Sequence, residues 1–318
     1  MTRSPAPARG PRADDAEAAA AKATSASGLP PPLIARVIHD AFSEDLGLAG
    51  DITTDATIPA RATATAAINA REAGVICGLP LAEAAFRTLD PFMDIDVHHD
   101  DGSTVQAGAT IVTLKGRARA VLTAERIALN FLGRLSGIAS LTRAHVNAVA
   151  GTRAAIVDTR KTTPGLRAFE KYAVRTGGGM NHRVGLFDAV LIKDNHIAVA
   201  GGIRAAIEAA RQRAGHMVKI EVEVDTLEQL REAMEHRVDA VLLDNMSLDE
   251  LREAVAIVDG RALTEASGGV TLERVGAIAQ TGVDLISSGA LTHSAPNFDL
   301  GLDISIGEER GPIGFMAR

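Results

Sequence analysis

Several residue types are scarce in this 318-residue chain, and each scarcity excludes something. There is no tryptophan and only one tyrosine, so the core must be built from aliphatic side chains. The single cysteine, Cys77, cannot form a disulfide within the chain, and we interpret it as a small buried apolar residue. No apolar run is long enough to cross a bilayer, and the N-terminus lacks a secretory signal. We therefore expect a cytoplasmic protein with no membrane partner.

Familiar catalytic motifs are missing as well. The chain has no Walker pattern, no H-E-x-x-H zinc motif and no G-x-G-x-x-G after its first strand, and no serine or cysteine nucleophile stands out. Its net charge of -7 argues against a nucleic-acid partner, because such proteins are usually basic. We expect no organic cofactor.

The pattern of apolar residues indicates three regions. Residues 1–28 are rich in Ala, Pro, Ser and Gly and are predicted to form a disordered tail. Residues 29–135 mix helical and strand patterns, which is typical of an α+β domain. That pattern predicts helices at 33–42, 80–89 and 123–135, and strands at 64–71, 94–98 and 110–114. A further helix is expected at 140–149.

After residue 151, short β-type runs alternate with amphipathic helices. The runs are 154–158, 189–192, 219–224, 240–243, 261–264 and 284–286. Repeated βα units imply a parallel sheet, and polar residues follow every run, as they do on the active-site face of an α/β barrel. An open doubly wound sheet is the alternative, but it lacks the expected glycine fingerprint.

A basic island interrupts this acidic chain. Seven cations lie between positions 160 and 193, namely Arg160, Lys161, Arg167, Lys171, Arg175, Arg183 and Lys193. Such a cluster indicates a ligand with several negative charges, and the fork of arginine suits carboxylates. We predict function for the three cations at strand ends, Arg160, Lys161 and Lys193. We predict a solvated helix face for Arg167, Lys171 and Arg175.

Three further groups flank this island. His182 and Arg183 follow the glycines 177–179, which let a backbone approach a ligand closely or take positive φ. Glu221, Glu223 and Asp225 share one predicted strand and Asp244 ends the next. We favour Glu223 and Asp244 for holding Mg²⁺, directly or through water, or for stabilising a developing cation, while Glu221 is equally explained by an ion pair. Small residues after the last two strands suit a phosphate: Ser267, Gly268, Gly269, Ser288, Gly289 and Ala290.

The motifs at 158–167, 177–183, 191–196, 221–225, 243–245, 265–269 and 287–293 together resemble the quinolinate phosphoribosyltransferase family, from about residue 31 to residue 306. The resemblance implies that quinolinate and phosphoribosyl pyrophosphate give nicotinate mononucleotide, pyrophosphate and CO₂, with Mg²⁺, in NAD biosynthesis. It also implies an N-terminal α/β sandwich at 29–135, rejoined by residues 298–318, and an incomplete seven-stranded α/β TIM-like barrel at 136–297.

The resemblance assigns roles to particular residues. It implies that quinolinate is bound by Thr159, Arg160, His182, Arg183, Lys193 and Arg126, the last from the neighbouring subunit of a homodimer with shared active sites. Lys161, Glu223 and Asp244 are then catalytic and face the ribose, the pyrophosphate and Mg²⁺, while residues 267–269 and 288–290 take the 5′-phosphate. Three alternatives stay open: a related enzyme acting on nicotinate or another pyridine, an aldolase-type barrel with Lys193 as a Schiff-base lysine, and a non-catalytic phosphate-binding module.

Overall fold

The computed structural model describes residues 27–306, which fall into two compact units. The first unit contains the described residues up to Ser136 and those from Phe298 onward, and the second contains Gly137–Asn297. All but the last two residues of the predicted tail lie outside the described part of the chain. Within residues 27–306, no helix combines the length and the apolar character needed to span a membrane.

The first unit combines helices with an antiparallel sheet. Its short helices are α1 (Pro31–Leu46), α2 (Ile52–Thr57) and α3 (Leu79–Leu89), and its strands are β1 (Thr63–Ala70), β2 (Gly74–Val75), β3 (Asp94–Val97), β4 (Thr104–Val105), β5 (Thr110–Arg117) and β12 (Leu300–Ile306). The main sheet has the order β12-β1-β5-β3, so the chain end returns to pair with β1. Every second residue of β1 is buried, which confirms the alternation in the sequence.

Helix α4 (Ala118–Ala148) is continuous, so the prediction of two separate helices is wrong. Gly133 and Ser136 weaken the local helical pattern, but both serve packing within the first unit. A Cβ on Gly133 would lie 3.0 Å from the carbonyl oxygen of Phe298. The hydroxyl of Ser136 accepts from the backbone N–H of Cys77 at 2.9 Å and donates to its carbonyl at 3.1 Å. Tertiary contacts therefore outweigh the local propensity.

The second unit is built from βα repeats. Its strands are β6 (Ala155–Val157), β7 (Val190–Ile192), β8 (Ile220–Val224), β9 (Ala240–Asp244), β10 (Leu263–Ser267) and β11 (Leu285–Ser287), and its helices are α5 (Arg167–Thr176), α6 (Asp194–Ala200), α7 (Ile203–Arg213), α8 (Leu227–Met234), α9 (Leu248–Val258), α10 (Leu272–Ala279) and α11 (Ala290–His293). The six strands form one parallel sheet of order β6-β11-β10-β9-β8-β7. Strand β10 begins later than predicted, because the backbone N–H of Arg261 still donates to the carbonyl of Val258 at 3.0 Å in the turn after α9, and pairing with the sheet starts at Leu263.

One residue occupies the place of a seventh strand. Met180 forms a parallel bridge with Val157 of β6: its N–H donates to Ile156 at 2.8 Å, and its carbonyl accepts from Asp158 at 3.2 Å. The N–H of His182, two residues further on, donates to the carboxylate of Asp158 and not to a strand carbonyl, so strand pairing stops there. Within the described residues, no pairing joins β7 to this segment, in keeping with an incomplete barrel.

The glycines at 177–179 have a packing role. A Cβ on Gly177 would lie 2.5 Å from the carbonyl oxygen of Ala139 and 2.6 Å from Cβ of Thr142, and Gly179 meets the same threonine. Gly178 has φ +96°, which suits glycine. The close approach is therefore to helix α4 within the second unit, and only one of the three glycines needs a positive φ.

We expect Gly177→Ala to lower the free energy of unfolding by about 1–3 kcal/mol, because the added methyl group overpacks against the backbone of α4. Urea unfolding measures the change. Gly215→Ala is the matched control, since a Cβ there meets nothing within 4 Å, and it should change stability by less than about 0.5 kcal/mol. Equal stability of the two variants would contradict this packing.

Candidate active site

The carboxyl ends of the parallel strands surround a cavity of about 410 Å³ within the second unit. Its wall includes nine of the residues predicted from the sequence: Thr159, Arg160, Lys161, His182, Arg183, Lys193, Glu223, Asp244 and Ser267. The wall also includes Leu191, Leu242, Glu265 and Ser287. A cavity of this size can enclose a small ligand, and its convergent charges give that ligand an orientation.

Other predicted residues lie outside this wall. The backbone N–H of Ser288 donates to Val157 at 3.0 Å, so that donor is already used. Gly289 packs against Lys161, whose Cδ would lie 2.7 Å from an added Cβ. Gly268, Gly269 and Ala290 are likewise absent from the lining, and Arg126 is exposed on helix α4 in the first unit. Their roles stay predictions.

One side of the cavity is cationic. Burial lowers the pKa of Arg183, and the positive charge of the neighbouring Arg160 lowers it further. Nη1 of Arg183 donates to the carbonyl of Ala189 at 3.1 Å, which leaves most of the guanidinium donors free for a ligand. Two guanidiniums that repel each other are relieved by a ligand with two negative charges.

The other side of the cavity is acidic. Glu223 forms an ion pair with Lys193, and Asp244 accepts from the side-chain amide of Asn245 at 2.6 Å. Both carboxylates lie at the carboxyl ends of neighbouring strands, as the sequence predicted. The Nζ of Lys193 is thus occupied by a carboxylate partner, which gives the aldolase alternative no support.

A buried ion pair positions His182, one of the residues of the cavity wall. Asp158 and Lys171 are 0 % and 1 % exposed, and the Nζ of Lys171 binds both the carboxylate of Asp158 and the carbonyl of His182, the latter at 3.0 Å. The same carboxylate accepts the N–H of His182 at 2.8 Å and the amide of Asn181 at 2.6 Å. The pair thus fixes both backbone polar groups of His182.

The prediction that Lys171 is solvated is therefore wrong. Residues 167, 171 and 175 share one helical stripe, and nothing in the sequence marks the middle cation as the one that turns inward. Burial raises the pKa of Asp158 and lowers the pKa of Lys171, while their mutual attraction opposes both shifts. Arg175 is exposed as predicted, whereas Arg167 is half-buried and donates to Thr162 at 2.9 Å.

Helix α5 also holds the loop that carries Arg160 and Lys161. Glu170 is fully buried and accepts both the N–H of Thr163, at 3.0 Å, and its hydroxyl, at 2.8 Å. The hydroxyl of Thr292, from the short helix after β11, donates to the carbonyl of Lys161 at 2.7 Å. The loop is therefore anchored on two sides, which orients its two cations at the cavity.

Both ring nitrogens of His182 have protein partners. Nδ1 accepts the backbone N–H of Arg183 at 2.7 Å, and Nε2 lies 2.8 Å from Glu221 and 3.8 Å from Glu265. The structural role considered for Glu221 is thus present as a hydrogen bond to His182. Glu265 was not among the predicted site residues, although its place two residues before Ser267 puts both on the inward face of β10.

Comparisons with known proteins agree on one family. A family model described as "Quinolinate phosphoribosyl transferase, N-terminal domain" matches residues 51–136, and the C-terminal domain model matches residues 138–303. A probable nicotinate-nucleotide pyrophosphorylase [carboxylating] from Bacillus subtilis is 44% identical over 86% of this chain and 94% of its own. A nicotinate-nucleotide pyrophosphorylase [carboxylating] from Mycobacterium leprae is 46% identical over 84% of this chain and 95% of its own.

Solved structures give the same result. The crystal structure of NadC from Streptococcus pyogenes has a TM-score of 0.85 and 40% identity, and covers 88% of this chain and 99% of that chain. A nicotinate-nucleotide pyrophosphorylase from Ehrlichia chaffeensis has a TM-score of 0.82 and 44% identity, with 85% and 98% coverage. A human nicotinic acid phosphoribosyltransferase has a TM-score of 0.56 at 15% identity, with 80% and 72% coverage, which is a likeness of fold alone.

We expect Lys171→Met to lower the free energy of unfolding by about 3–5 kcal/mol, because Asp158 would keep a buried charge without a partner. Urea unfolding measures the loss, and the double variant Asp158→Asn with Lys171→Met should recover part of it. Arg175→Met, on the same helical stripe but exposed, is the control and should change stability by less than about 1 kcal/mol. A loss in Lys171→Met no larger than in this control would contradict the buried pair.

Proposed function

Because this chain belongs to the quinolinate phosphoribosyltransferase family, we propose that the mixed-charge cavity of its second unit is the active site. The enzyme transfers phosphoribose from phosphoribosyl pyrophosphate to quinolinate and yields nicotinate mononucleotide, pyrophosphate and CO₂, a step of NAD synthesis. The single observation that supports this site best is the cavity wall itself, which brings Arg160 and Arg183 together with the carboxylates of Glu223 and Asp244.

Quinolinate occupies the cationic side in this proposal. Its two adjacent carboxylates match two neighbouring guanidiniums and one ammonium, those of Arg160, Arg183 and Lys193. The hydroxyl of Thr159 accepts the N–H of Lys161 at 3.0 Å and lies on the same wall. One carboxylate, as in nicotinate, leaves part of this cationic charge without a partner, which favours the dianion.

Phosphoribosyl pyrophosphate occupies the remaining wall, where Lys161, Glu223, Asp244 and Ser267 meet. The carboxylates of Glu223 and Asp244 suit Mg²⁺, since that ion takes hard oxygen ligands, often one or two carboxylates and several waters. When bound, Mg²⁺ neutralises charge on the departing pyrophosphate. Of the small residues proposed for the 5′-phosphate, Ser267 is the one that reaches the wall.

Catalysis in this site consists of positioning and electrostatics. Departure of pyrophosphate builds positive charge on the ribosyl carbon, and the carboxylates of Glu223 and Asp244 stabilise that charge. The ring nitrogen of quinolinate is a weak nucleophile beside a carboxylate, so the arginine clamps must hold it in line with that carbon. Once the nitrogen carries the ribose, its positive charge favours loss of the adjacent carboxylate as CO₂, and side chains need contribute little.

The proposed assembly is a homodimer in which Arg126 completes the quinolinate site of the neighbouring subunit. Its exposure on helix α4 supports this, since an exposed arginine is available to a second chain. We propose a cytoplasmic location, as predicted from the sequence; among plant relatives, some names carry the word mitochondrial and one carries chloroplastic.

We expect the protein to release pyrophosphate with quinolinate at least about 100-fold more efficiently, in kcat/KM, than with nicotinate, because nicotinate lacks one carboxylate. A coupled pyrophosphate assay measures both rates, with and without EDTA, and EDTA should abolish turnover. Equal turnover of the two pyridines would instead identify a nicotinate enzyme, and a folded dimeric sample with no activity would refute the proposal.

Mixed dimers test the shared site. Arg126→Ala and Arg160→Ala should each be nearly inactive alone, whereas subunit exchange between them should restore about a quarter of wild-type activity, because half the dimers then contain one intact site of two. The control mixes Arg126→Ala with the double variant Arg126→Ala, Arg160→Ala, which should restore nothing. Activity in Arg126→Ala alone, or exchange without rescue, would contradict a shared site.

A further inference from the structure

Glu265 is a cavity residue to which the proposed reaction gives no task. It is 2 % exposed, it lies on β10 beside Glu221, and the hydroxyl of Ser287 donates to it. One carboxylate oxygen of each glutamate, Oε1, is buried and lacks a hydrogen-bond partner. Two buried carboxyl groups side by side are costly when both are ionised, so their retention indicates a specific role for the pair.

His182 connects this pair to the quinolinate side. Because Nδ1 accepts the N–H of Arg183, it carries no proton, and the ring proton must be on Nε2, where it is donated to Glu221. Neither nitrogen is then free to donate to a substrate carboxylate. In this arrangement the ring affects the cavity only through Arg183. It accepts the backbone N–H of Arg183, and the guanidinium of that same residue is the group proposed to bind the ligand.

We propose that Glu265 is a positioning residue which, with Glu221, holds the imidazole of His182 in the Nε2–H tautomer and thereby fixes Arg183 for the quinolinate carboxylates. His182 is then also a positioning residue and not a direct ligand of quinolinate. This inference rests on the proposed function for its kinetic consequence, although its structural part, the tautomer of His182, can be measured without substrate.

The electrostatics of the cluster agree with this role. Burial, followed by the neighbouring charge of Glu221, raises the pKa of Glu265 to about 7. Near neutral pH a proton is therefore held on Glu265 in much of the population, which allows the two carboxyl groups to lie together. Burial alone would lower the pKa of His182, but the hydrogen bond to Glu221 and the nearby carboxylates outweigh burial and raise the pKa, because they stabilise a proton on the Nε2 atom that faces them.

The test compares Glu265→Leu with Glu265→Gln in the full chain. For Glu265→Leu we expect KM for quinolinate to rise about tenfold, because Glu221 is then the one carboxyl group of the cluster that still faces Nε2 of His182 and the ring is held less firmly, while KM for phosphoribosyl pyrophosphate changes less than about twofold. The glutamine variant keeps a neutral group that donates and accepts, and should recover most of the quinolinate affinity. Nitrogen-15 NMR of the His182 ring should show the Nε2–H tautomer in wild type and Glu265→Gln, and a smaller share of that tautomer in Glu265→Leu, where Glu221 alone still accepts the Nε2 proton.

Thr264→Val provides the matched control, because Thr264 is also 2 % exposed on β10 but its hydroxyl binds Asp284 instead of the cavity cluster. It should lower stability without changing either KM. The proposal is overturned if Glu265→Leu behaves like this control, if both KM values rise together, or if Glu265→Gln fails as Glu265→Leu does.

A metal ion bound by His182, Glu221 and Glu265 would also overturn it, since these three groups lie within 4.8 Å of one another. Metal analysis of the purified wild type and of Glu265→Leu decides this. If wild type releases no pyrophosphate from quinolinate, the proposed function fails, whereas the NMR result still tests the position of the His182 proton.

Discussion

The buried ion pair of Asp158 and Lys171 is the interaction on which the site depends. It binds the N–H and the carbonyl of His182 at once, so it sets where the chain leaves the sheet after Met180. Such a pair is weak evidence for stability, because the desolvation of two charges offsets much of their attraction. What the pair contributes is position, because it binds both backbone polar groups of His182. Arg183 takes its place on the cavity wall as a result.

The parallel sheet explains why scattered motifs converge. Each strand contributes one or two polar residues at its carboxyl end, and parallel pairing brings those ends to one rim. The sequence was sufficient to predict the six strands, most of the helices and nine residues of the cavity wall, because strand ends and charge patterns are local signals. Glu223 and Asp244 are such residues, since each lies near the carboxyl end of its strand.

Other features depend on contacts between distant residues and could not be predicted. The burial of Lys171 requires Asp158, thirteen positions away. The helical spacing of residues 167, 171 and 175 alone predicts that Lys171 is exposed. The seventh strand is a single residue, too short for any periodicity to mark. The continuity of α4 depends on the returning segment at Phe298, and the glycines at 177 and 179 are explained by helix packing that the sequence does not show. The pairing of Glu265 with Glu221 likewise appears only once β8, β9 and β10 are assembled.

The ion pair between Lys193 and Glu223 has a thermodynamic consequence. Under the proposed function Lys193 binds quinolinate and Glu223 faces phosphoribosyl pyrophosphate, so the structure pairs a cation meant for one substrate with a carboxylate meant for the other. Whichever substrate arrives first must separate the two charges, and the second meets a group that has already been released. The free energy of separation therefore enters only the first binding step, which links the affinities of the two substrates. A site built from opposite charges in contact thus favours the ternary complex over either binary one.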